Sequence, residues 1–168
     1  MTTHLSLFIN RVSNIWHLDN KSYLYTIGYE GLTIDDFINK LVAHNIQILV
    51  DVRNNPSSRK VGFSKNALQK HIERVGVRYV HIPELGVPSK LRKNLGSKAS
   101  YETLFKYYEK KILISNLDCL DKIRDMTSQY SRVALMCFEA NHLACHRHKI
   151  TEYLSREPSF QTRIVHIN

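Results

Sequence analysis

Short, almost continuous apolar runs alternate along this chain with segments whose apolar residues recur at helical spacing, and no other feature constrains the fold as strongly. The runs IQILVDV and RVALMCF lack the polar residue at every second position that marks a half-solvated strand. Such strands are buried on both faces, as in a parallel sheet with helices on either side. SYLYTIGY, VRYVHI and TRIVHIN supply three further strand candidates, rich in aromatic and β-branched residues.

The segments between them read as helices. Ile34, Phe37, Ile38, Leu41 and Val42 follow the i, i+3, i+4, i+7, i+8 series behind Thr33 as N-cap, with Asp36 three residues on. Ser64 caps a second helix whose face is Leu68, Ile72 and Val75, and Gly76 ends it. Tyr101, Leu104, Phe105, Tyr108 and Ile112 define a third, which breaks near Ser115 and Asn116 and resumes with Leu117, Leu120 and Ile123. A last helix is expected from about Leu143 to Ser155. The sum is an α/β fold: a single three-layer domain with a mostly parallel sheet of about five strands and helices on both faces. The 168 residues, 43% of them hydrophobic, suffice to bury one such core. That domain spans 21–168; residues 1–20 fit no clear element and read as an N-terminal extension.

The absence of an apolar stretch of roughly 18 residues predicts no membrane span, and the chain reads as cytoplasmic. Cys119, Cys137 and Cys145 make an odd count without secreted-type spacing, so free thiols are expected. Lys and Arg number 24 against 15 acidic residues, a net charge of +9 that suits an anionic partner such as a small phosphorylated molecule or nucleic acid. The run SKLRKNLGSK, Ser89 to Lys98, adds basic residues without an acid and reads as an exposed, mobile loop. Oligomeric state is not legible.

In a parallel sheet the ligand crevice lies beyond the carboxyl ends of the strands. The residues just beyond each predicted strand are unusually polar: Gly28, Tyr29, Glu30 and Gly31; Asp51, Arg53, Asn54 and Arg59; His81, Pro83 and Glu84; Cys137 and Glu139. One rim would collect them all. Each residue also has a plainer role: Asp51 fits a turn cap or a partner for Arg53, and His81 fits either acid–base work or a bond to nearby backbone. GYEG is too short for a dinucleotide fingerprint.

VALMCFEANHLACHRHKI packs two cysteines, three histidines, a glutamate and an arginine behind an apolar run. Cys145, near a helix N-terminus and beside Arg147, is the better candidate for a reactive thiol, and Cys137 for a buried one. Cys137, His142, Cys145, His146 and His148 could ligate zinc, but the paired close spacings of structural zinc sites are absent, so no metal or cofactor is expected. A phosphatase-like loop would need Arg six positions after Cys137, where Leu143 stands. VDVR and a cysteine after a late strand echo the rhodanese fold without its compact Gly-rich loop, which leaves sulfur transfer a minor reading.

YTIGYEG, LVDVRNNPSSRKVGFSK, VRYVHIPELGVPSKLRKNL and CFEANHLACHR, in that order, resemble the bacterial and archaeal family of domain of unknown function 488, over about Tyr25 to Leu154. The resemblance implies a single α/β domain that gathers these motifs. The matching positions are Gly28, Asp51, Arg53, Pro56, Ser58, Arg59, Phe63, His81, Pro83, Leu85, Gly86, Cys137, Glu139, Cys145, His146 and Arg147. Many members carry His where this chain has Tyr29.

These readings converge on an enzyme acting on a phosphorylated substrate, a nucleotide or nucleic acid. Asp51, His81, Glu139 and Cys145 are its expected catalytic groups. Gly28, Tyr29, Arg53, Arg59, Cys137, His146 and Arg147 are its expected substrate contacts, the arginines through planar donors to phosphate. A non-catalytic nucleotide- or nucleic-acid-binding module is the alternative from a different class.

Overall fold

The structure is a computed structural model and describes residues 21–92 and 97–168; the expected extension at 1–20, and residues 93–96 of the basic run, lie outside them. Five strands form one sheet: β1 (Tyr23–Gly28), β2 (Ile48–Asp51), β3 (Arg78–His81), β4 (Arg132–Cys137) and β5 (Arg163–Ile167), in the order β3-β2-β4-β1-β5. Every neighbouring pair is parallel, so the sheet is wholly rather than mostly parallel. All residues of β2 and nearly all of β4 are buried, as their apolar runs require.

Helices cover both faces. On one, α1 (Ile34–Ala43) and α2 (Lys65–Glu73) bury Phe37, Leu41, Leu68 and Ile72 against Ile27, Leu49, Ala134 and Met136. On the other, α3 (Lys98–Tyr107), α4 (Leu117–Gln129) and α5 (His146–Ser155) bury Leu104, Ile123, Ile150 and Leu154 against Leu24, Val50, Val133 and Leu135. The chain leaves β1 over the first face and β4 over the second. Because β1 and β4 are neighbours, their carboxyl ends mark where the crossovers part, the place where parallel sheets bind ligands. Among the described residues no helix is long and apolar enough to cross a membrane.

Local chemistry accounts for the helix ends. Thr33 and Asp36 form the reciprocal capping box expected of α1. Ser64 stands at the N-cap of α2 but makes no side-chain cap bond, and α2 ends at Glu73, which leaves Val75 43% exposed rather than on the buried face. The break after α3 begins earlier than Ser115: a π turn at Tyr108–Leu113 leads into a 3-10 turn at Ile114–Asn116. The last helix starts at His146, not Leu143. Asn141 caps a separate 3-10 turn at His142–Ala144, and the extended backbone of Cys145 (φ −130°, ψ 143°) separates the two.

The segment after β4 crosses directly over the end of β1. A Cβ built on Gly28 would stand 1.8 Å from the Glu139 carbonyl oxygen, whereas one on Gly31, at φ +79°, meets nothing. Gly28→Ala is therefore expected to destabilise by roughly 3 kcal/mol or more. Gly31→Ala should cost about 1 kcal/mol, from backbone strain alone. Urea-unfolding midpoints of the two variants check the order.

Candidate functional site

The polar residues expected at the rim do come from its strand ends, but they form two groups on opposite sides of the sheet. Strand alternation decides this: Leu49 and Asp51 face α1 and α2, whereas Val50 and Val52 face the other helices.

On the first side, Asp51 is fully buried and Arg53 is 5% exposed. Arg53 Nε lies 2.9 Å from Asp51 Oδ1 and its Nη2 lies 2.6 Å from Oδ2, a bidentate pair. Arg53 Nη1 donates to the Tyr29 hydroxyl at 3.0 Å and to the Phe63 carbonyl at 2.9 Å. Tyr79 donates to Asp51 Oδ2 at 2.6 Å, and Tyr29 stacks on Phe63 with ring centroids 4.3 Å apart. Burial alone would lower the Arg53 pKa, but the Asp51 carboxylate beside it raises it. Burial, then the charge of Asp51, pushes the Tyr79 phenol well above its ordinary value, so it acts as a fixed donor. Arg53 therefore holds the end of β2 together, with its donors turned to protein acceptors. Tyr79 escaped the sequence reading because a strand tyrosine carries no local sign of a buried carboxylate on the adjacent strand.

The second group stands where β4 ends and α5 begins. Cys137 donates to Glu139 Oε2 at 3.1 Å, and His146 Nδ1 lies 3.7 Å from Cys137 Sγ and 3.8 Å from Cys145 Sγ. On its far side, His146 Nε2 donates to the Val52 carbonyl at 3.0 Å. Tyr108, whose hydroxyl donates to the Leu85 carbonyl at 2.6 Å, places its ring 5.5 Å from that of His146. Cys137, Cys145 and His146 are buried and Glu139 is half-buried, so Glu139 is the residue of this cluster that keeps some exposed surface. Burial would raise the Glu139 carboxyl, but hydrogen bonds from the Cys145 thiol, its own backbone and the Cys137 thiol hold it below the ordinary range. Burial would depress His146; Cys145, the Val52 carbonyl contact and Glu139 raise it instead. Burial, reinforced by neighbouring Cys137, drives the Cys145 thiol well upward. The expectation of a reactive Cys145 activated by a helix end and Arg147 thus meets a thiol only 1% exposed.

Arg147 is itself 1% exposed and donates to the carbonyls of Glu139 (2.6 Å) and Ala140 (2.9 Å), which fixes the crossing segment over Gly28. His81 donates Nε2 to the Arg53 carbonyl at 2.9 Å and lines a surface pocket of ≈ 380 Å³ with Arg78, Glu84, Lys122 and Tyr130, apart from the thiols. Arg59 is exposed in the loop after β2. Its neighbour Lys60 reaches the Tyr29 carbonyl at 3.2 Å, so this basic loop sits beside the end of β1. A second pocket of ≈ 390 Å³ opens there, lined by Gly28, Glu30, Ala140, Asn141, His142 and Ile167.

Next to this pocket three histidines meet. His142 stacks on His166 at 3.6 Å and packs edge-on against His148 at 5.6 Å, while His166 Nδ1 lies 2.8 Å from Thr26 Oγ1. Burial, then the positive potential of His142, His148 and Arg147, lowers His166 from 6.5 to about 4. The sequence showed these histidines but not that β5 returns beside β1 to bring them together.

Fold and rim together define a wholly parallel, three-layer α/β protein whose polar chemistry is concentrated at the carboxyl edge of its sheet. The model of the family described as "Domain of unknown function DUF488" matches residues 33–154, and the chain belongs to that family. That match takes in the motifs holding Asp51, His81, Cys137 and His146 and begins after YTIGYEG. No curated protein and no solved structure matches the chain.

This geometry sets two outcomes. Arg53→Ala strands a buried carboxylate and should cost about 3–5 kcal/mol of stability by chemical denaturation, whereas Tyr79→Phe should cost about 1–3 kcal/mol. The second concerns pH. His166 binds a proton near pH 6.5 when unfolded but only near 4 when folded, so between those values the unfolded chain holds more protons. Its contribution is therefore complete above about pH 6.5 and lost on acidification toward 4. Thermal midpoints should fall from pH 7 to pH 5, and His166→Gln should flatten that fall.

Proposed function

We propose that this protein is an enzyme that acts on an anionic, phosphate-bearing substrate, a nucleotide or nucleic acid strand, at the carboxyl edge of its sheet. One observation carries the reading. Glu139 is the half-buried member of an otherwise buried thiol and imidazole cluster, at the point where the crossovers from β1 and β4 part.

Thiol donors keep the Glu139 carboxylate ionised, the form that accepts a proton, at a basicity below that of an ordinary glutamate. Its neighbours fix its position, since Cys137 binds one oxygen and Arg147 grips the Glu139 backbone. In this reading Glu139 takes the proton of an attacking hydroxyl or water, and His146 supplies positive charge behind it. Recognition falls to Arg59 and Lys60 rather than to Arg53 and Arg147, which are buried and bonded to protein acceptors through Nη1 and Nη2. The net charge of +9 favours the approach of an anion to any part of this surface. Asp51 becomes a structural partner of Arg53, and His81 a backbone anchor.

Turnover of a labelled panel of nucleotides and of DNA and RNA oligonucleotides tests the proposal. Glu139→Gln is expected to lower kcat by about 10²–10⁴-fold with the fold intact. Arg59→Ala should mainly raise KM, and more so at low salt. Binding without turnover across the panel would make the protein a recognition module. A lack of both would remove the anionic substrate altogether.

A further inference from the structure

Cys137 Sγ, Cys145 Sγ and His146 Nδ1 lie within 4.8 Å of one another, and all three residues are buried. A tetrahedral zinc ion takes sulfur at about 2.3 Å and imidazole nitrogen at about 2.0 Å, so a sulfur and a nitrogen on one ion stand roughly 3.5 Å apart. The distances from His146 Nδ1 to the sulfurs, 3.7 and 3.8 Å, are close to that separation.

The imidazole adds an independent observation. Its Nε2 donates to the Val52 carbonyl at 3.0 Å, which turns Nδ1 toward the two sulfurs. Ligating histidines are held in this manner, with the far nitrogen on a carbonyl or carboxylate that fixes the ring. Val52 directly follows β2, Cys137 ends β4 and Cys145 caps α5, so the arrangement is built by the sheet and not by one flexible loop. Seven residues separate the two cysteines, a spacing unlike the tight pairs of zinc fingers. Proximity arises because β4 ends where α5 begins.

We propose that Cys137, Cys145 and His146 bind a thiophilic divalent cation of the zinc class, with the fourth position open to Glu139 or water. Two thiolates and an imidazole suit such an ion better than magnesium or calcium, which prefer oxygen. Binding forms two metal–sulfur bonds and one metal–nitrogen bond. Each thiol, and Nδ1 when it is protonated, releases its proton to solvent, and the two thiolates balance the charge of the dication. Glu139 Oε2, 3.1 Å from Cys137 Sγ, is then placed to complete the shell or to take a proton from a metal-bound water. The site shares its residues with the proposed active centre, yet it requires no turnover.

The chain has three cysteines, and the third, Cys119, lies in α4. A full-length Cys119→Ala variant therefore keeps the proposed pair as its sole thiols. This protein, reduced and stripped with chelator, is titrated with Co²⁺ alone beside the wild type. Expected are a thiolate-to-cobalt charge-transfer band and tetrahedral ligand-field bands that saturate at about one equivalent and are bleached by Zn²⁺. His146→Gln in the same background should weaken cobalt binding beyond the roughly 10- to 100-fold loss caused by removing an outer-shell partner. Cys145→Ser should lose the one-equivalent band. If Cys145→Ser does not fold, the band in Cys119→Ala still decides, because no other thiol can give it. Folded protein that develops no thiolate band in excess cobalt overturns the proposal. Turnover is scored separately: a cobalt band without turnover leaves the metal site standing and removes the enzyme, and turnover by stripped, band-free protein does the reverse.

Discussion

A buried guanidinium folds the chain over its own first strand. Arg147, from the first turn of α5, donates to two successive carbonyls of the segment that leaves β4 and so presses that segment across Gly28. The approach is possible because Gly28 has no side chain, and it continues the β1–β4 contact beyond the sheet through Glu30 N to the Phe138 carbonyl at 2.8 Å. Glu30 closes the strap from the other side, accepting from Ala140 N at 2.9 Å. The positions of Glu139 and Cys137 relative to His146 all depend on this crossing. An arginine with two carbonyls as acceptors is an architectural clamp, and its placement beside a polar cluster is what makes it resemble a ligand-binding group in the sequence.

A second buried guanidinium works on the opposite face. Asp51 and Arg53 turn toward α1 and α2 and join Tyr29, Phe63 and Tyr79, while the residue between them sends its carbonyl to His146. Residues 51–53 thus tie the two clusters back to back. Breaking a fully desolvated Arg–carboxylate pair leaves an uncompensated charge in the core, so its effect on the thiol side would be transmitted through the backbone at Val52. The same backbone, through the Arg53 carbonyl, also anchors His81.

The thiols of Cys137 and Cys145 are buried side by side around one imidazole nitrogen. Burial disfavours the thiolate at Cys145, yet a cation at the centre of the cluster reverses that preference by binding the deprotonated form. Proton acceptance at Glu139 and metal ligation by the groups behind it are compatible chemistries. The basic loop and a surface pocket lie at the neighbouring end of β1.

The sequence by itself determined the elements and the rim. Doubly apolar runs gave the buried strands, the Thr33–Asp36 pair gave the start of α1, and the polar residues after each run gave the carboxyl edge, because periodicity and capping are local properties of the chain. It could not say which side of the sheet each rim residue takes. A strand apolar on both faces carries no mark of sidedness, so Asp51 and Cys137 looked like members of one crevice although they face opposite layers. Nor could it separate a ligand-binding arginine from a clamp, or pair Tyr79 with Asp51 and His142 with His166. Those contacts arise from the order β3-β2-β4-β1-β5, which sets distant segments side by side. Only the tertiary structure decides them, because they are fixed by which strands are neighbours and not by any spacing along the chain.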